Sequence, residues 1–131
     1  MKLLLDTHAL IWFTTNDPRL PASLAARFLN SDTALYVSRI SLLEMAIKSP
    51  LNKPDYPIIF DQWLHRFQQF DFELLEITDA HLLRLSQLPP VKNHRDPFDR
   101  LLIAQALTED LTLVSRDGKF GDYAGLKLQW T

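Results

Sequence analysis

Four carboxylates interrupt otherwise apolar stretches of this sequence. Asp6 sits in MKLLLDTHALIWF, between Leu3–Leu5 and the run Ala9 to Phe13. Glu44 lies in RISLLEMAIKS, where Ile40, Leu43, Glu44 and Ile47 follow the i, i+3, i+4, i+7 spacing of one helix stripe. Asp99, in DPFDRLLIAQAL, falls one turn before Leu102 and Ile103, and Asp117 follows the β-prone LTLVS in SRDGKF. A charge beside a core is costly unless something pairs with it. Each acid has an ordinary explanation. Asp6 can cap a helix. Glu44 can bridge to Arg39 or Lys48. Asp96 and Asp99 can cap a helix and complement its dipole. Asp117 can be a turn residue before Gly118. The functional explanation is shared by all four: carboxylates brought to one place repel each other and require a cation. The sequence has no cysteine, so the ligands would be oxygens, which favour a hard divalent ion, Mg²⁺ or Mn²⁺. The matching chemistry is metal-assisted phosphodiester hydrolysis.

Other chemistries leave weaker traces. There is no glycine-rich phosphate loop and no nucleophile elbow. The histidines at 8, 65, 81 and 94 lack paired metal spacing. His65 and His81 are expected on helix surfaces, whereas His8 and His94 lie near the acids in sequence. An aspartyl-phosphate enzyme of the haloacid-dehalogenase type needs a second Asp two residues after Asp6, and His8 stands there.

The elements that must position these acids are legible from periodicity. KLLL (2–5), ALYVS (34–38), FELLEI (72–77), LTLVS (111–115) and LKLQW (126–130) read as strands. THALIWF, 23–30 with Ser23 as cap, 39–49, 58–70, 79–88 with Thr78 or Asp79 as cap, and 96–110 read as helices. The last carries Asp96 as N-cap and Pro97 in the first helical position. In 58–70, Ile59, Trp63, Phe67 and Phe70 share a face. Strands alternating with helices imply an α/β fold, a parallel sheet covered on both faces, with its site at the carboxyl ends of the strands. The chain's 131 residues are expected to form one domain, 1–131. The net charge of −2 excludes a global basic field, so nucleic-acid binding would need a local patch or an ion. No run nears the roughly 18 unbroken apolar residues of a membrane span, and the start reads as mature protein without a signal peptide. Together with the lack of cysteine, this fits a cytoplasmic location.

These segments, LLLDTHALIWF, SRISLLEMAIK, HRDPFDRLLIAQAL and LTLVSRDGKF in this order, resemble the PIN domain family across essentially the whole chain. Within it they look like VapC-type toxins of toxin–antitoxin pairs, in the subgroup carrying DPFDRLL. The resemblance implies a three-layer α/β/α sandwich and a Mg²⁺- or Mn²⁺-dependent endoribonuclease. It implies that Asp6, Glu44 and Asp99 hold the ion, with Asp117 as the fourth acid and Asp96 as the cap or alternative ligand. It further implies a homodimer and a small antitoxin partner. Arg95, Arg100, Arg116 and Lys119 flank the acids and are candidates to steer substrate phosphates. Two rival readings stand beside this one: a non-catalytic PIN-like binding module, and a structure-specific DNA nuclease. Trp12, Trp63, Phe67 and Phe70 are either interface anchors or core.

Overall fold

The computed structural model describes residues 1–91 and 96–131, with Lys119 described by its backbone alone. Five strands form one parallel sheet: β1 (Lys2–Leu5), β2 (Ala34–Ser38), β3 (Glu73–Leu75), β4 (Thr112–Val114) and β5 (Lys127–Gln129). Their order across the sheet is β3-β2-β1-β4-β5. The chain steps outward from β1 through β2 to β3, then returns to the other side of β1 for β4 and β5. The direction of winding therefore reverses between β1 and β4, and in open parallel sheets ligands bind outside the strand ends at such a switch point.

Side-chain alternation along β1 divides the core in two. Leu3 and Leu5 face a cluster with Leu10, Leu24, Met45, Trp63 and Phe67. Leu4 faces the opposite cluster, with Leu102, Ile103, Leu113 and Phe120. The first layer is built from α1 (Thr7–Thr14), α2 (Ala22–Phe28) and α4 (Phe60–Phe67), the second from α5 (Asp79–Gln87) and α6 (Pro97–Glu109). Helix α3 (Arg39–Lys48) contributes Leu42 and Met45 to the first cluster and Ile40 to the second. The result is the three-layer α/β/α sandwich expected from the strand–helix alternation. Among the described residues, no helix is long and apolar enough to cross a membrane.

Several local expectations are corrected. Helix α2 begins at Ala22 with Pro21 in the cap position and no side-chain cap, so Ser23 lies inside the first turn. Thr78, and not Asp79, caps α5. His81 is fully buried, not on the surface. Its ring folds back over the helix start, where Nδ1 accepts from Thr78 N–H at 3.1 Å and Nε2 meets Glu109 Oε1 at 3.3 Å. His65 is exposed, as expected. The helix within 58–70 covers only Phe60–Phe67; Trp63 and Phe67 are buried while Ile59 is 64% exposed. Trp12 is buried too, so Trp12, Trp63 and Phe67 belong to the core, while Phe70, past the end of the helix, is half-buried. His94 and Arg95 lie outside the described residues.

The two halves of the first layer are pinned by a buried polar contact. Trp63 Nε1 donates to Thr14 Oγ1 at 2.9 Å, and that hydroxyl donates onward to Leu10 O at 2.8 Å. Thr14→Val keeps the shape but strands the indole N–H, which costs about 1–3 kcal/mol. Urea denaturation is expected to show that loss, larger than the effect of Thr→Val at exposed Thr15; equal effects would contradict it.

Candidate functional site

Asp6 follows the last residue of β1 and begins α1. Its backbone N–H bonds to Val114 O at 3.0 Å, tying it to the end of β4. Its side chain accepts from Ala9 N–H at 2.8 Å, so the helix-cap role is real. Ser115, just past β4, donates a hydroxyl bond to the same carboxylate. These bonds do not satisfy it. Burial pushes the Asp6 carboxyl up to about 7; the Ser115 and Ala9 bonds oppose the rise, while the charges of Asp99 and Glu44 add to it. Three acids from three segments therefore feel each other at the switch point.

Glu44 is treated differently. It is buried, and its Oε1 accepts from Thr7 Oγ1 at 2.6 Å. Its Oε2 accepts from Tyr56 Oη at 2.6 Å and from Lys48 Nζ at 2.9 Å. Burial raises its carboxyl, but the bonds from Thr7, Tyr56 and Lys48 together outweigh that and hold it below the usual range. Of the two basic residues considered as partners, Lys48 pairs with it, while Arg39 pairs with Glu76 at 2.9 Å. The helix face differs from the expected stripe. Ile40, Ser41, Glu44 and Met45 are buried, while Leu43 and Ile47 are 48% and 49% exposed. Burial of Tyr56, and then its bond to Glu44, raise its phenol well above its ordinary value, so it remains a donor.

Helix α6 runs back toward the start of β4, so its first turn lies at the carboxyl edge. Asp96 caps it, accepting from Phe98 N–H at 2.8 Å and from Asp99 N–H at 3.3 Å. Asp99 is half-buried, one turn before the fully buried Leu102 and Ile103. Asp117 is exposed, and its N–H donates to Ser115 Oγ at 3.1 Å. Ser115 therefore links the Asp117 loop to Asp6. Arg100 is committed to the fold: it donates to Pro89 O at 3.1 Å, Leu88 O at 3.3 Å and Tyr123 Oη at 3.0 Å. Arg116 is exposed, with its guanidinium 4.7 Å from the Trp12 ring centre.

A cation suits the chemistry of this edge. Mg²⁺ is commonly held by one or two carboxylates with waters completing the shell. Among the described residues, no three His, Asp or Glu side chains are drawn together closely enough to form a closed metal cage. The open group around Asp6 fits the looser requirement. An oxygen set with a carboxyl lifted to about 7 by burial and by like charges is one that gains from an added positive charge.

Sequence comparison gives the family: a PIN domain matches residues 3–126. The chain belongs to the PIN domain family. No curated protein matches the sequence significantly. Solved structures with the same fold include VapBC from Salmonella typhimurium bound to DNA, at 20% identity and a TM-score of 0.73, covering 100% of this chain and 99% of that one. VapBC2 from Rickettsia felis, bound to a fragment of its promoter, aligns at 17% identity and a TM-score of 0.72 over 98% of each chain. VapBC-1 from nontypeable Haemophilus influenzae aligns at 18% identity and 0.70, over 98% and 97%.

Sequence reasoning missed the groups that tune the acids of this PIN domain. Thr7 adjoins Asp6 and its hydroxyl was a findable signal. Tyr56 comes from the loop between α3 and α4, and Ser115 from the end of β4; nothing in their sequence context marks them.

Two outcomes follow from this electrostatic division. Asp6 is bound by its proton more tightly when folded (about 7) than its ordinary value of 3.8. Without divalent ions, stability therefore falls as pH rises from about 4 to 7. Asp6→Asn removes that cost and keeps the cap acceptor. At pH 8 it is expected to be more stable than the native protein by up to about 4 kcal/mol, with the advantage vanishing near pH 4; paired urea titrations check both. Tyr56→Phe acts oppositely. It removes a bond to a charged group, a loss of about 1.5–3 kcal/mol. Because Glu44 is held below its ordinary value, that stabilisation exists above about pH 4.5 and is lost on acidification. The Tyr56→Phe deficit should accordingly shrink at pH 3 in the same measurement.

Proposed function

We propose that this PIN domain is a divalent-metal-dependent endoribonuclease, the VapC-type toxin of a toxin–antitoxin pair. The observation that carries the proposal is that Asp6, buried at the switch point, feels the charges of Asp99 and Glu44 and shares a cavity wall with Asp117. The VapBC complexes among the structural neighbours support the partner reading, a small antitoxin, and the DPFDRLL segment supports the subgroup.

In this reading Asp6 and Asp99 are the acids readiest to hold Mg²⁺ or Mn²⁺. Asp117 adjoins them through Ser115, and Asp96 stays a cap that sets the first turn of α6. Glu44 joins them to the extent that Lys48 releases it. Bound there, the ion supplies a water of lowered pKa and charge stabilisation at the scissile phosphate. The chain's own part is to orient and to neutralise. Ala9 N–H and the Ser115 hydroxyl fix the Asp6 carboxylate. Tyr56 and Thr7 fix Glu44 and keep it from accepting a proton. Arg116 is the described basic residue placed beside the acids and free of the structural bonds that hold Arg100, so it is the foremost phosphate-steering residue. Arg95 and the Lys119 side chain keep the roles proposed from sequence. The exposed Leu43 and Ile47 of α3, and Leu82 and Leu83 of α5 at 48% and 60% exposure, supply apolar surface for a homodimer.

The test is cleavage of single-stranded RNA, structured RNA and flap DNA with Mg²⁺, Mn²⁺ or EDTA. RNA cleavage is expected only with an ion, falling at least about 100-fold in Asp6→Asn and Asp99→Asn. Flap DNA as the better substrate would favour the DNA-nuclease reading. Absence of cleavage, together with no acid-dependent Mn²⁺ binding by calorimetry, would favour the non-catalytic module.

A further inference from the structure

Beside the acids lies a cavity of about 300 Å³, lined by Asp6, His8, Trp12, Arg116, Asp117 and Trp130. Phosphodiester cleavage accounts for Asp6 and Asp117 and for a steering Arg116. It gives no role to two indoles and an imidazole in the same walls. Trp12 and Trp130 meet edge to face, ring centres 5.9 Å apart at 70°, and so form a corner of flat aromatic surface. His8 lies 5.7 Å from Trp12, tilted 35° to its ring. Trp12 is 3% exposed, yet its Nε1 has no hydrogen-bond partner, and neither has His8 Nε2. A buried polar atom without a partner is costly, and the indole N–H of Trp12 and the ring nitrogen of His8 in the walls of one cavity point to an occupant that carries polar edges.

The charges narrow the occupant. Among the described lining residues, two carboxylates against one guanidinium disfavour a phosphate inside the cavity. Aromatic walls with unpaired nitrogens favour a flat, neutral heterocycle with ring nitrogens and carbonyls. The volume lies at the small end of the range for small-molecule pockets, about 300–1,000 Å³, enough for one base and not for a duplex. Single-stranded nucleic acids are commonly bound by stacking bases on aromatic side chains beside a basic group. Trp130 follows the stretch 3–126 that matches the family.

We propose that this cavity is a nucleobase subsite, taking the base of one unpaired ribonucleotide next to the scissile phosphate, with Trp130 as its stacking surface and Arg116 as its movable wall. The proposal rests on the ribonuclease reading for its substrate, but its first test does not need catalysis. The chain has three tryptophans, and Trp63, bonded to Thr14, is a built-in control. Indole N–H signals in a nitrogen-15 NMR spectrum are followed, without divalent ions, while adenosine monophosphate or ribose 5-phosphate is added. The two probes carry the same phosphate and differ in the base. The nucleotide is expected to shift the Trp12 and Trp130 signals saturably and leave Trp63 unmoved, while ribose 5-phosphate shifts neither. Trp130→Ala should weaken nucleotide binding, read on Trp12, by about 10-fold, and Trp130→Phe by less than about 3-fold. In cleavage assays with Mn²⁺, Trp130→Ala should lower kcat/KM on single-stranded RNA by about 10-fold and change it by less than about 3-fold on the same RNA made abasic at that nucleotide. No shift with the nucleotide, or equal shifts with both probes, overturns the subsite. A loss in Trp130→Ala that is equal on both cleavage substrates overturns its placement beside the phosphate. Base-dependent shifts in a protein that cuts no RNA would sustain the subsite while removing the ribonuclease reading.

Discussion

The carboxylate of Asp6 occupies the end of the most enclosed strand in the sheet, with β2 on one side and β4 on the other. Its backbone is fixed by the bond to Val114 and its side chain by the start of α1. A parallel sheet buried on both faces gives such a group little water, and two hydrogen bonds do not replace what is lost. The rest of the site is arranged around that deficit. The acids of α3 and α6 lie close enough to deepen it, and among the described residues no basic side chain is named with the causes that move the Asp6 carboxyl.

Glu44 shows that the fold can compensate a buried acid when compensation suits it. Thr7, Tyr56 and Lys48 surround that carboxylate with donors from three different parts of the chain. The contrast between two acids of one cluster, one over-served and one under-served, separates positioning from binding. A uniformly ion-paired network leaves no charge unbalanced; an unbalanced one gains from an added positive charge. The basic residues follow the same division. Lys48 and Arg100 are spent inside the fold, while Arg116 stays at the rim beside the indole corner.

The loop after β4 joins these parts. Ser115 donates to Asp6 and accepts from the Asp117 backbone, so one hydroxyl ties the loop of the rim acid to the acid at the centre. The same loop carries Arg116 over Trp12, which brings the aromatic cavity and the acidic edge into one continuous surface. Because β4 lies between β1 and β5, the segment bearing Trp130 is delivered to the same edge as Asp6.

Local pattern was enough for the five strands and for a parallel sheet covered on both faces. Runs such as KLLL and ALYVS can only be buried strands in a chain with this alternation, and Pro97 after Asp96 marks a helix start by its missing N–H. What local pattern misplaced depended on partners distant in sequence. The stripe through Leu43 and Ile47 obeyed helical spacing, but the sheet order turned α3 so that Ser41 and Met45 faced inward with Glu44. His81 read as a surface residue because nothing nearby showed that Glu109 and Gln105 would close over it. The sequence by itself determined which residues are acids and on which elements they ride, because periodicity and capping are short-range constraints. Only the tertiary structure decided how each acid is charged, because desolvation and the donors Thr7, Tyr56 and Ser115 come from segments that meet only once the sheet has formed.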